Sequence, residues 1–148
     1  DYPDSECEHK ILHLARVEAS HKTEKPQQKI ALSEILDARK QVAAVHMADT
    51  VEEYIVQLVI ATRTPDKYSA ELNNWIEFGV SPRATIALDK CARSHAWLAG
   101  KDFVSPDDVQ AVANDVLGHR LIPSLSAQAH NINTSDNVNK LIEIVPTI

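Results

Sequence analysis

The sequence has 148 residues, enough for one domain that buries roughly 70% of the surface its unfolded chain would expose. Its net charge of −6 disfavours a nucleic-acid partner, and its three glycines disfavour a turn-rich β fold or a glycine-rich phosphate loop. Two cysteines form no disulfide framework, and we find neither a signal peptide nor an apolar run near the ~18 residues of a membrane span, so we expect a reduced, cytoplasmic protein. The first residue is not methionine, which predicts a piece of a longer protein.

Apolar residues at helical spacing predict three helices in the first half of the chain. Asp4 or Ser5 caps a first helix that runs to about Ser20, and residues 21–29 form a loop. Ser33 caps a second helix, which ends before residue 46. Asp49 caps the third, whose apolar face has the clearest helical periodicity in the chain: Val51, Tyr54, Ile55, Leu58 and Val59.

A long irregular segment is predicted for residues 64–80, before a fourth helix. Ser81 is a good N-cap, Pro82 suits the first helical position, and Gly100 suits the C′ position after a helix that ends near Ala99. The predicted buried stripe of this helix consists of Ala84, Ala87, Leu88, Cys91, His95 and Leu98.

The last third of the sequence predicts two more helices. Ser105 and Pro106 begin the fifth, which Gly118 ends, and Thr134 or Ser135 caps the last, which stops before residue 146. Residues 119–122 are expected to pair with residues 103–104 as short strands, and residues 123–133 to form a loop. The sum is an all-α bundle of about five to six helices with at most a tiny two-stranded ribbon.

Arg83 falls in the first turn of the fourth predicted helix, where a cation is unusual. The N-terminus is the positive end of the helix dipole, so a cation there costs roughly 0.3–1 kcal/mol. The same helix end binds anions, because its free N–H groups point outward. Arg83 is therefore either a solvated surface residue or a residue that faces an anion such as a phosphate.

No enzyme motif or metal site is predicted from the residues alone. Cys7 and His9 lie about 200° apart on a helix, which prevents them from sharing one ion. Cys91 and His95 share a face, but two ligands are too few for structural zinc, and the prediction is a buried core pair. Three aromatic residues are expected in the core or clamped over the fourth helix, with an aromatic binding surface as the alternative: Trp75, Phe78 and Trp97.

Three motifs together resemble the C-terminal helical lid of MoxR-family AAA+ ATPases. They read Phe-Gly-Val-Ser-Pro-Arg-Ala at 78–84, Gly-Lys-Asp-Phe-Val-Ser-Pro-Asp-Asp-Val at 100–109 and Leu-Gly-His-Arg-Leu at 117–121. The opening residues 1–4, followed by Ile11 and Leu12, resemble the junction with the family's α/β nucleotide domain. The resemblance covers the whole chain and implies one lid domain over 1–148, with residues 1–3 as the end of the linker.

The resemblance implies a role for Arg83 as the sensor 2 residue, which contacts the γ-phosphate of ATP bound on the large domain. Ser81 and Pro82 belong to the same motif, and Ile11 would lie on the adenine side, with an ordinary core position as the alternative for Ile11. Mg²⁺ would be held by that large domain, which also carries the Walker A, Walker B, sensor 1 and arginine-finger residues. This chain alone is therefore expected to be inactive and to hold no cofactor.

The family also implies partners. These are the chain's own nucleotide-binding domain, the neighbouring subunits of a ring that is expected to be hexameric, and von Willebrand factor A-domain proteins. Together they would serve chaperone-like activation or assembly of client metalloproteins. The alternative is a stand-alone helical module that binds another protein and has no nucleotide role. A helix-turn-helix nucleic-acid binder is the third hypothesis, which the net charge of −6 disfavours.

Overall fold

The computed structural model describes residues 3–20 and 29–147, so the predicted loop around Pro26 and the linker residues Asp1 and Tyr2 lie outside the described residues. The described ranges contain eight α-helices and two short ribbons of two strands each, which confirms the predicted all-α class. In these ranges no helix is long and apolar enough to cross a membrane. The chain divides into two compact units, Asp1–Ile35 and Leu36–Ile148.

The first unit contains helix α1 (Ser5–Ala19) and the start of helix α2 (Leu32–Ala44). Asp4 caps α1 as predicted, because its carboxylate accepts a hydrogen bond of 2.8 Å from the N–H of Cys7. Helix α2 begins one residue before the predicted cap Ser33, which therefore lies inside the helix. No residue of α1 is buried, so its apolar positions remain exposed.

The second unit contains most of the secondary structure. After the remainder of α2, its elements in chain order are strand β1 (His46–Met47), helix α3 (Asp49–Arg63), a 3₁₀ turn (Pro65–Lys67), helix α4 (Ala70–Trp75), strand β2 (Ile76–Phe78), helix α5 (Arg83–Leu98), strand β3 (Phe103–Val104), helix α6 (Pro106–Leu117), strand β4 (Ile122–Pro123), helix α7 (Leu125–Ala129) and helix α8 (Thr134–Ile144). Asp49 is the first residue of α3, not its cap, and Asn133 caps α8, one residue before the predicted position.

Two segments that we predicted to be irregular contain short helices. Ser69 caps α4 within residues 64–80 by accepting a 3.1 Å hydrogen bond from the N–H of Glu71. Ser124 caps α7 within residues 123–133 in the same way, at 3.1 Å from the N–H of Ala127. Helices of six and five residues are too short to show a helical period, so only their capping serines mark them in the sequence.

The predicted pairing of residues 103–104 with residues 119–122 is wrong. Strand β3 pairs in parallel with β1, with His46 opposite Phe103, and β4 pairs in antiparallel fashion with β2, with Phe78 opposite Ile122. Residues 120 and 121 continue the turn that ends α6, since both of their N–H groups donate to the carbonyl of Leu117. Strands of two or three residues have no periodicity from which a distant partner could be predicted.

The core of the second unit lies between α3, α5, α6 and α8, and α5 and α6 form its most extensive helix pair. Its largest fully buried side chains are those of Tyr54, Ile55, Leu58, Leu72, Leu88, Leu117 and Leu141. The buried line of α5 is Ala84, Leu88, Ala92 and Ala96, whereas Cys91 and Leu98, which we predicted to be buried, are exposed. Small alanine side chains allow close packing against α6, so the buried line follows the alanines.

Helix α5 ends in a Schellman motif at Gly100, as the sequence predicts. Gly100 has a φ of 72°, and its N–H donates to the carbonyl of Trp97 at 2.9 Å. The N–H of Lys101 donates to the carbonyl of Ala96, also at 2.9 Å. This left-handed turn reverses the chain between α5 and α6 and places Lys101 beside the start of α6.

Candidate functional site

Arg83 is the first residue of α5, and its side chain is exposed. The first turn of α5 contains no acidic residue. Every other described α-helix of more than ten residues has at least one carboxylate there, in α1, α2, α3, α6 and α8. Carboxylates stabilise the positive end of a helix by roughly 0.3–1 kcal/mol each. Helix α5 forgoes that stabilisation and presents an arginine instead, which leaves its N-terminus available to an external anion.

Ser81 does not cap α5 with its side chain, contrary to the prediction. Pro82 occupies the cap position with φ −57° and ψ −20°, values that are already helical. The first turn closes instead through the backbone, because the N–H of Ala84 donates to the carbonyl of Ser81 at 2.9 Å. The fixed φ of Pro82 therefore determines the direction in which α5 starts.

The loop before Arg83 is held against the C-terminal end of α3. The N–H of Val80 donates to Oγ1 of Thr62 at 3.1 Å, and Nε of Arg63 donates to the carbonyl of Val80 at 2.8 Å. A Cβ atom on Gly79 would lie 2.6 Å from the carbonyl carbon of Thr62 and 2.9 Å from Cα of Arg63. Only glycine fits this approach, so the motif glycine serves the contact between the two backbones.

Replacing Gly79 with alanine should destabilise the second unit by about 1–3 kcal/mol, the usual cost of forcing extra volume into a packed site. The methyl group would clash with α3 backbone that cannot move without disturbing the core. Chemical denaturation of the chain measures the effect. The matched control is Ser81→Ala, at an exposed residue of the same loop, which should change stability by less than about 0.5 kcal/mol. Equal stability of the Gly79→Ala variant and the unmodified chain would contradict the close contact.

A buried carboxylate joins the end of α5 to the start of α6. Asp108 is completely buried and accepts hydrogen bonds from Nζ of Lys101 at 2.9 and 3.1 Å. It also accepts bonds from the N–H and the hydroxyl of Ser105, at 2.9 and 2.7 Å. The first of these, together with the Ser105 side chain accepting from the N–H of Asp108, forms a capping box. Nδ1 of His95 lies 2.8 Å from the other carboxylate oxygen of Asp108. The Gly-Lys-Asp and Ser-Pro-Asp-Asp stretches of the motif therefore meet at one side chain.

The hydrogen bonds to Asp108 decide its ionisation. Burial alone would raise the pKa of this carboxyl group, but the bonds from Lys101, Ser105 and His95 outweigh burial and hold the pKa well below its ordinary value. Asp108 is therefore an ionised carboxylate that neutralises Lys101 and caps α6. This network fixes the hairpin of α5 and α6, and we assign it a structural role.

Cys91 and His95 do not form the buried core pair that we predicted. Cys91 is exposed, and the side chain of His95 is 45% exposed, with its Nδ1 turned to Asp108. In the described ranges no three His, Cys, Asp or Glu side chains are grouped as a metal site would require. The three aromatic residues differ in their exposure to solvent: Trp75 and Trp97 are partly buried against the core, whereas Phe78 is 61% exposed on β2.

Ile11 lies on α1 in the first unit and is 52% exposed, as are its neighbours Leu12 and Leu14 at 49% and 58%. It is not a core residue of that unit, which was the structural alternative to a position beside adenine. Sequence reasoning selected Arg83 and Ile11 as candidates but not Thr62 and Arg63, since nothing in the pattern of α3 distinguishes two hydrogen-bonding residues at its end. Gly79, inside the motif, was the one available signal for that contact.

Comparison with known proteins places these features in a family. The model of the AAA lid domain matches residues 70–141, a stretch that contains both Arg83 and Asp108. "Chaperone MoxR1" of Mycobacterium tuberculosis is 33% identical over 147 residues, which are 97% of this chain and 37% of that protein. "Uncharacterized protein YeaC" of Bacillus subtilis is also 33% identical, over 97% of this chain and 42% of that protein.

A crystal structure of a candidate ATPase from Cytophaga hutchinsonii superposes on the whole chain with a TM-score of 0.83 at 31% identity. The chain covers 44% of that structure and, likewise, about two fifths of the curated relatives, so the matched proteins contain a further region of greater length. The lid model, the two relatives and the superposition agree with the three motifs identified in the sequence. The chain therefore belongs to the MoxR family of AAA+ ATPases, as its helical lid domain.

Proposed function

We propose that this lid closes over ATP bound on the α/β domain of the whole ATPase, and that Arg83 is the sensor 2 residue that contacts the γ-phosphate. The observation that carries the proposal is the exposed arginine at an N-terminus that lacks any first-turn carboxylate. A guanidinium stays charged at all working pH values and binds phosphate oxygens with two parallel hydrogen bonds. The helix end adds N–H groups and a positive dipole directed at the same anion.

The chemistry available to Arg83 is electrostatic. During phosphoryl transfer, charge is spread over the oxygens of the γ-phosphate, and a preorganised cation stabilises that charge. Mg²⁺ would be bound by the large domain and would neutralise the same phosphates. Because Arg83 is joined to a helical body, its contact with the γ-phosphate would also couple ATP hydrolysis to the angle of the lid.

In the whole protein, the lid would also contact adenine and take part in a ring of subunits. Ile11 would contact adenine, and its 52% exposure leaves apolar surface for that contact. Neighbouring subunits would form a ring, which we expect to be hexameric, and nucleotide-driven lid motion would serve chaperone-like activation of client metalloproteins. One relative is named a chaperone, which supports this role, and von Willebrand factor A-domain proteins are the proposed partners.

Nucleotide affinity tests the contact between Arg83 and the γ-phosphate. In the whole protein, Arg83→Ala should weaken binding of a non-hydrolysable ATP analogue by about 10- to 100-fold, the loss expected for one charged hydrogen-bonding group. ADP affinity should change by less than about 2-fold, because ADP lacks the phosphate that Arg83 would contact. Titration calorimetry with both nucleotides measures the difference.

The matched control is Lys90→Ala, which removes an exposed cation from the same helix, two turns further along. Both nucleotide affinities should be unchanged in this variant. Equal weakening of ATP and ADP binding by Arg83→Ala would contradict a specific contact with the γ-phosphate. Unchanged binding of both nucleotides would contradict any contact between Arg83 and the γ-phosphate; the alternative of a stand-alone protein-binding module would also require this chain alone to bind a partner protein tightly.

A further inference from the structure

We propose that Thr62 and Arg63 are positioning residues for Arg83, an inference that rests on the proposed sensor function. These two consecutive residues at the end of α3 bind both backbone groups of one loop residue, Val80. No backbone-to-backbone pairing is needed, since the side chains supply the acceptor for the N–H and the donor for the carbonyl. Both backbone groups of Val80 are thereby held from a single helix end.

Thr62 is well suited to hold the loop rigidly. It is 1% exposed, and its own hydroxyl donates to the carbonyl of Val59 at 2.7 Å. That bond fixes the hydroxyl hydrogen on the helix side and leaves an oxygen lone pair for the N–H of Val80, 3.1 Å away. The N–H of Val80 belongs to a buried residue, so losing its acceptor would leave a buried donor unpaired.

Thr62, Arg63 and their bonds to Val80 form a clamp, and the backbone next to this clamp has little freedom to move. Gly79 lies directly against the backbone of α3, Pro82 has a fixed φ, and the carbonyl of Ser81 is bonded to the N–H of Ala84 at 2.9 Å. Only Ser81 and Pro82 separate Val80 from Arg83, so the end of α3 orients the backbone at the start of α5. Any displacement of the end of α3 would move the guanidinium relative to its phosphate.

This arrangement predicts how the clamp affects the reaction. A contact that stabilises the transition state is sensitive to misplacement of about 1 Å, which can cost on the order of 100-fold in rate. Thr62→Val and Arg63→Met should each lower kcat of the whole ATPase by about 5- to 20-fold, with a smaller change in KM. Thr62→Ser keeps the hydroxyl and should retain most of the rate.

The decisive measurement repeats these substitutions in an Arg83→Ala background. If the clamp acts through Arg83, Thr62→Val and Arg63→Met should change kcat by less than about 2-fold once Arg83 is absent, since the cycle isolates the coupling between the two sites. Arg63 is exposed, so Arg63→Met leaves the core intact even where Thr62→Val reduces folding. Thr64→Val is the matched control: it removes a similar bond to the carbonyl of Ile60, at 3.2 Å, without touching Val80, and should leave kcat unchanged.

Failure of the sensor function and failure of the positioning role give different kinetic results. An unchanged kcat in Arg83→Ala alone would overturn the proposed sensor function. If Arg83→Ala lowers kcat, then equal effects of Arg63→Met with and without Arg83 would overturn the positioning role. No effect of either clamp substitution in the unmodified protein would overturn it as well. We expect kcat to fall in Thr62→Val and Arg63→Met and to stay near the unmodified value in Thr62→Ser. Once Arg83 is absent, the clamp substitutions should cause no further loss.

Discussion

Arg83→Ala lowers ATP turnover of the whole ATPase by about 100-fold or more in the proposed mechanism, because it removes a charged contact worth roughly 3–4 kcal/mol in the transition state. The side chain is exposed at the start of α5, so its loss creates no cavity, and the fold of the lid should be unaffected. Steady-state phosphate release measures turnover, and circular dichroism of the same samples checks folding.

The comparison with Arg83→Lys sharpens this prediction. Lysine retains the charge but cannot form two parallel hydrogen bonds, so turnover should fall between the values of the unmodified and alanine proteins. Lys90→Ala, on the same helix, should turn over at the unmodified rate. An Arg83→Ala protein with full turnover would show that Arg83 does not take part in the reaction.

Asp108→Ala should destabilise the second unit by about 1–3 kcal/mol, the usual cost of leaving a hydrogen-bond donor unpaired and losing a helix cap, because water can hydrate the 37% exposed Lys101. The substitution leaves Lys101 without its carboxylate and the N–H of Ser105 without its cap acceptor. Domains of this size are stable by only about 5–15 kcal/mol, so a measurable part of that stability would be lost. Urea denaturation measures the difference, with Asp107→Asn at the exposed neighbouring position as control.

The effect of Asp108 also has a defined pH dependence. Its pKa is lowered in the folded state, so its contribution to stability is complete above the unfolded value of about 3.9, declines as the pH falls below that value, and is lost as the pH falls through the lowered folded pKa. The difference in stability between the unmodified chain and Asp108→Asn should therefore shrink as the pH is lowered from 6 to about 3. A constant difference across that range would show that ionisation of Asp108 does not stabilise the fold.

Local signals predicted much of this fold. The cap at Asp4, the turn at Gly100 and the proline start of α6 each depend on residues within four positions of one another, and each lies where the sequence indicates. The strand pairs could not be predicted, because residues 46–47 and 103–104 meet only after the intervening helices have packed. The short helices α4 and α7 were missed for lack of a helical period.

The candidate site, too, could be predicted only in part from the sequence. Arg83 could be identified from its motif and from its unusual place in a first turn. The clamp of Thr62 and Arg63 could not, because it spans residues 18 and 17 positions apart along the chain. The burial of Asp108 was equally hidden, since an aspartate in the first turn of a helix is ordinarily a solvated capping residue. Tertiary packing made it the centre of a network.

The bonds between the end of α3 and Val80 also tie off the chain between them as a closed loop. These bonds hold both ends of the segment, and for a flexible insertion each doubling of loop length costs only about 0.6 kcal/mol in closure entropy. Insertions at its exposed turn, at Asp66 and Lys67, would therefore leave the start of α5 in place. This turn can therefore be lengthened, or can carry a fluorescent label, without moving Arg83.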